Sequence, residues 1–70
     1  SYYAVKSSWI GKDVDVIIET CENGVAFGHS SEYLPVQIDG EFASGQRIVA
    51  RCTHMLGDQL AAQAQGGQEK

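Results

Sequence analysis

Apolar and polar residues alternate with a period of two along most of this chain. From Lys12 to Glu19, Val14, Val16 and Ile18 fall on one face, and Asp13, Asp15, Ile17 and Glu19 on the other. That period over this length predicts a half-buried strand. Glu22-Asn23-Gly24 follows, and Asn-Gly between apolar runs signals a hairpin. A second strand is predicted over Val25 to His29, with Val25 and Phe27 sharing a face. The polar residues His29 to Glu32 are too few for a helix and predict a tight reversal. Gly28 lets backbone approach backbone inside a strand. Pro35 withholds an amide donor, so its strand should lie at an edge, begin there or carry a bulge. We read Gly28 to Val36 as the middle hairpin of a small closed sheet, with His29 and Tyr33 at its rim.

The third strand runs from Leu34 to Ile38, with Leu34, Val36 and Ile38 inward. Asp39-Gly40-Glu41 and Ser44-Gly45 bracket Phe42, predicting a longer loop pinned by one buried aromatic. The fourth strand, Gln46 to Thr53, places Ile48, Ala50 and Cys52 inward, with Arg47, Val49, Arg51 and Thr53 outward. Gly57-Asp58 makes a turn, and Gln59 to Gln63 forms a last strand with Leu60 and Ala62 inward. Five short strands with no amphipathic helix predict an all-β fold, a small barrel. Closure removes the exposed edges that a small sheet tolerates poorly. The barrel is expected over residues 12–63. Residues 1–11 read as a linker from an upstream domain, with Trp9 packing, and 64–70 as a disordered tail.

Seventy residues allow one domain resting on one modest core. At 43% hydrophobic and 20% charged, the chain has a globular composition. No apolar run approaches the ~20 residues that span a bilayer, so no membrane contact is expected. The first residues lack the layout of a signal peptide and do not begin with Met, so the chain is expected to be part of a longer, cytoplasmic protein. Cys21 and Cys52 match no zinc or iron–sulfur spacing. A single disulfide would suit a secreted protein, whereas two free thiols suit a reducing cytosol, which is the better reading.

The net charge of −4 runs against nucleic-acid binding, which favours basic domains. The charges are nevertheless sorted. Residues 1–12 carry Lys6 and Lys12 without an acid, and 13–41 carry seven acids with no Lys or Arg. Residues 42–57 carry Arg47, Arg51 and His54 without an acid. One face can therefore be locally positive.

Gly11-Lys12, the strand Val14 to Glu19, then Gly28-His29-Ser30-Ser31-Glu32-Tyr33-Leu34-Pro35-Val36, then Gly45 to Arg51 resemble a TRAM domain in order and spacing. The resemblance covers roughly residues 10–63. It is most similar to the C-terminal TRAM domain of radical-SAM methylthiotransferases acting on tRNA, the threonylcarbamoyladenosine type in particular. The resemblance implies a five-stranded antiparallel, OB-like barrel that binds tRNA and helps present its anticodon region to an upstream radical-SAM domain. It also implies that the iron–sulfur clusters and S-adenosylmethionine belong to that catalytic domain, leaving this one without a cofactor. A monomer is expected.

OB-type barrels hold nucleic acid by a positive groove and stacking aromatics. Arg47 and Arg51 lie four apart on an outward face, about 13 Å at ~3.3 Å per residue. Guanidinium groups there suit phosphate contact or base stacking. The alternative is two solvated charges offsetting Asp13, Asp15 or Glu19. His29 and Tyr33 can stack on a base or touch the backbone; otherwise Tyr33 covers the barrel end and His29 is merely exposed. Lys6 and Lys12 extend the positive surface. Cys52 and His54 are expected on one strand face, but Cys52 faces the core with no orienting carboxylate, so no catalytic site is expected. The remaining alternative function is a structural barrel that docks on the upstream domain without touching RNA.

Overall fold

The computed structural model describes residues 2–65. Its elements in order are α1 (Tyr2–Ser7), β1 (Asp13–Glu22), β2 (Val25–Ser30), β3 (Pro35–Asp39), β4 (Arg47–Leu56) and β5 (Gln59–Ala64). The strands close into a barrel in the order β1-β2-β3-β5-β4. This is the small all-β barrel that the alternation predicts, and it is consistent with the OB-like form that the resemblance implies. One pairing departs from a purely antiparallel sheet: β3 and β5 run parallel. Parity requires it. Directions can alternate all the way round a closed ring only when the strand number is even, so five strands leave one like-directed pair. The chain meets this by running β4 between them in sequence but beside β1 in space.

Burial follows the alternation. Val14, Val16 and Ile18 from β1, Val36 and Ile38 from β3, and Ile48, Ala50 and Cys52 from β4 fill the interior. Leu34, Leu60 and Ala62 complete it with Ala26. Full burial of a side chain such as Ile18, Ile38 or Leu60 contributes roughly 1.5–3 kcal/mol. Val25 and Phe27 do share a face, but it is the outer one. Inside β2 the chain places Ala26, Gly28 and Ser30. Gly28 marks the tightest approach in the barrel: a Cβ there would lie 2.1 Å from the Ile17 carbonyl oxygen. Pro35 is the first residue of its strand, where its missing amide matters least.

Turn chemistry matches too. Asn23 and Gly24 both have positive φ, 55° and 78°, as a type I′ hairpin turn requires. Phe42 is half-buried against the core and lies over Gly40, whose Cβ would sit 2.7 Å from its ring.

The N-terminal segment holds a feature that the sequence pattern did not suggest. Residues 2–7 form α1, too short to persist unaided. It is held against the barrel by Lys6, which is buried and donates from Nζ to the Asp58 carbonyl at 2.7 Å in the β4–β5 turn. Trp9 packs on the core as expected. Gly11 N donates to Cys52 O at 2.8 Å and Cys52 N to Lys12 O at 2.9 Å, stitching the segment to β4. At the other end, Ala64 closes β5 and Gln65 N donates to Val49 O. Residues 66–70, the rest of the expected tail, lie outside the described residues.

Candidate nucleic-acid interface

The outward side chains of β2, β1 and β4 form cross-strand rows. Ile17 is opposite His29 on one side and Arg47 on the other, so His29, Ile17 and Arg47 make one row. Asp15 faces Val49 in the next, and Asp13 faces Arg51 in the third. Arg47 and Arg51 thus share one wall, as the strand period predicts.

Their surroundings differ. Arg51 Nε donates to Asp13 Oδ1 at 2.9 Å. That hydrogen bond, with the opposite charges, holds the Asp13 carboxyl below its usual range and raises Arg51. Both groups are exposed, where such pairs add little stability. Arg51 therefore takes the offsetting role that was the alternative to phosphate contact. Arg47 is exposed and is in no ion pair among the described residues.

His29 is also engaged. A bulge between Ile18 and Thr20 leaves Glu19 as the extra residue of β1. Its Oε2 lies 2.8 Å from His29 Nδ1. The wall is consequently mixed in sign rather than cationic throughout, because acids on β1 reach two of the three candidates beside them.

Tyr33 does not cover the barrel end. It is 81% exposed and adopts φ 66°, a left-handed conformation that bulky residues rarely take. The cause is the turn around Ser30. The Ser30 hydroxyl accepts from Glu32 N at 3.2 Å and Leu34 N at 3.1 Å. Tyr33 N donates to Ser30 O and Ser30 N to Leu34 O. With Leu34 drawn into the core and Pro35 starting β3, the chain can reverse only by pushing Tyr33 outward. Residues held this way cost about 1–3 kcal/mol and cluster at contact sites. Ser31 N donates to Asp15 O at 3.2 Å, tying the turn to the same wall.

Lys12 is exposed with Nζ 5.5 Å from the Trp9 ring centroid, a cation–π distance. Lys6, by contrast, is taken off this surface by burial, since its ammonium is spent on Asp58. Sequence reasoning passed over Ser30 as the organiser of the turn. Its signal was a serine at a strand end, a place where hydroxyls bond the backbone locally.

Cys52 and His54 do not share a face. The register of β4 against β5 shifts between them, so Cys52 is buried and His54 exposed. Burial pushes the Cys52 thiol up. Both cysteines are free, and Cys21 is only half-buried. Mass spectrometry after iodoacetamide treatment at mild alkaline pH should therefore find Cys21 alkylated first. Cys52 should follow only on unfolding, because the thiolate is the reacting form. Among the described residues, no group of three or more His, Cys, Asp or Glu could hold a metal ion. No helix among them is long and apolar enough to cross a membrane. Compared with models of known protein families and with curated proteins, the chain matches none.

Proposed function

We propose that this barrel is a non-catalytic RNA-binding domain of a tRNA-modifying methylthiotransferase, helping present the anticodon region to a radical-SAM domain upstream. The iron–sulfur and S-adenosylmethionine chemistry would belong to that domain, in the cytoplasm. Support comes from the TRAM-like order of motifs and from the OB-like barrel on which they lie. The observation that carries it is that Arg47 is exposed and in no ion pair among the described residues, while the Ser30 turn, tied to β1 through Ser31 N and Asp15 O, holds Tyr33 outward. Arg47 would contact a phosphate, and the Tyr33 ring would stack on an unpaired base.

With so few available cations, binding by the isolated domain should be weak and fall quickly as salt rises. Titration with an anticodon stem-loop RNA at low salt should shift the resonances of Arg47, His29 and Tyr33. Arg47→Glu should weaken binding about tenfold and lower the salt slope by roughly one. Unchanged affinity in that variant would remove Arg47 from the interface.

A docking barrel remains the second reading. It is favoured by the exposed Ile17 and Val49 in the midst of the wall, and by the engagement of Arg51 and His29 with acids. It expects Arg47→Glu with Arg51→Glu to leave tRNA affinity of the full enzyme intact.

A further inference from the structure

β5 carries three buried residues in succession, Leu60, Ala61 and Ala62. A strand alternates its faces, so they cannot all point inward. Leu60 and Ala62 belong to the core. Ala61 faces outward, yet it is only 8% exposed. Larger neighbours shade it: Gln37 stands opposite on β3 and His54 opposite on β4. The result is a groove of about 180 Å³ on the outer surface, floored by Ala61 and walled by Gln37, Asp39, Thr53, His54, Leu56 and Gln63. It lies over β5, away from the β1–β2 side that carries His29 and Ile17.

The lining defines the ligand. Among the described residues no Lys or Arg lines the groove, the nearest in register being Arg51 opposite Gln63 and paired with Asp13, whereas Asp39 does line it, so a phosphate is disfavoured. The Thr53 hydroxyl donates to the Ala61 carbonyl at 3.2 Å and lies 3.0 Å from His54 Nδ1. In the tautomer that donates Nδ1–H to Thr53, Nε2 is left as an acceptor. Asp39 adds carboxylate oxygens, and Gln37 and Gln63 add amides that both donate and accept. Acceptors dominate, beside one apolar wall from Leu56. The volume is below the ~300 Å³ at which pockets for drug-sized ligands begin, which suits one flat ring.

We propose that this groove binds a single nucleobase bearing an exocyclic amino group, adenine or cytosine, splayed from an RNA strand. The source of the base rests on the RNA-binding reading above. The chemistry is that of base-edge recognition: a Gln amide pairs with the adenine edge, and a carboxylate accepts from the cytosine amino group. Uracil offers a carbonyl oxygen where the amino group would be, and would face these acceptors unfavourably.

The test titrates the 70-residue chain with free adenosine, cytidine and uridine, followed by amide NMR. Adenosine and cytidine should shift Ala61, Gln63 and the Gln37 side-chain amide, with no weakening as salt rises, because these probes are uncharged. Uridine should bind about tenfold more weakly. Ala61→Leu should fill the groove and remove the shifts, and Asp39→Asn should erase the preference over uridine. The proposal is overturned if no nucleoside shifts these signals at millimolar concentration, or if uridine matches the others. It also fails if Ala61→Leu, with a native-like spectrum, keeps the shifts; should that variant not fold, Asp39→Asn decides. Groove shifts without stem-loop binding at Arg47 would sink the RNA wall and keep the base site. Stem-loop binding at Arg47 without groove shifts would do the reverse.

Discussion

Gly28→Ala is expected to destabilise the barrel by about 3 kcal/mol or more, a large share of what a domain this small possesses. The added methyl would lie 2.1 Å from the Ile17 carbonyl oxygen and 3.1 Å from Val16 Cγ1. The first of these is backbone and cannot swing aside. Relief requires β1 and β2 to separate where Ile18 pairs with Gly28, next to the bulge at Glu19. A closed sheet of few strands must bend sharply, and glycine is where it can do so. Urea denaturation should show a lower midpoint with an unchanged slope. Gly57→Ala is the control: nothing lies within 4 Å, and only its positive φ of 60° is penalised, for roughly 1 kcal/mol. Equal losses at the two sites would show that conformation, not contact, decides.

Ser30→Ala should cost about 2 kcal/mol, although it removes a single oxygen. That oxygen accepts from two backbone amides, and the Leu34 amide is buried. Water cannot replace the partner without opening the turn. Hydrogen exchange at Leu34 should accelerate, and the left-handed Tyr33 should lose its enforced geometry. On the proposed RNA-binding reading, RNA affinity should then fall even though Ser30 is buried in the barrel. Ser31→Ala, on the exposed side of the same turn, should change stability by less than about 0.5 kcal/mol. A Ser30→Ala protein with native stability and native Leu34 exchange would show that the hydroxyl does not organise the turn.

Both expectations concern residues whose type was legible before their role. Gly28 stood out as a glycine within a strand, and the structure supplies the carbonyl it makes room for. Ser30 looked like one of several polar turn residues, because a serine that accepts two amides cannot be told from a solvated one by spacing. Likewise, the outward placement of Arg47 and Arg51 followed from the strand period. Which of them meets a carboxylate did not, since Asp13 lies 38 positions from Arg51 and reaches it only through the register of β1 on β4.

The order of apolar and polar positions was by itself enough to determine the strands, the inward faces of β1, β3, β4 and β5, the Asn23-Gly24 hairpin and an all-β barrel. These depend on local geometry, where side chains alternate and turns demand particular φ values. Tertiary structure alone decided the parallel pairing of β3 with β5, the bulges at Glu19 and Thr53, and the burial of Lys6 under a short helix. It also decided that Ala61 floors a groove. Each of these is set by which strand closes the ring and in what register, and neighbours distant in sequence leave no mark on a period of two.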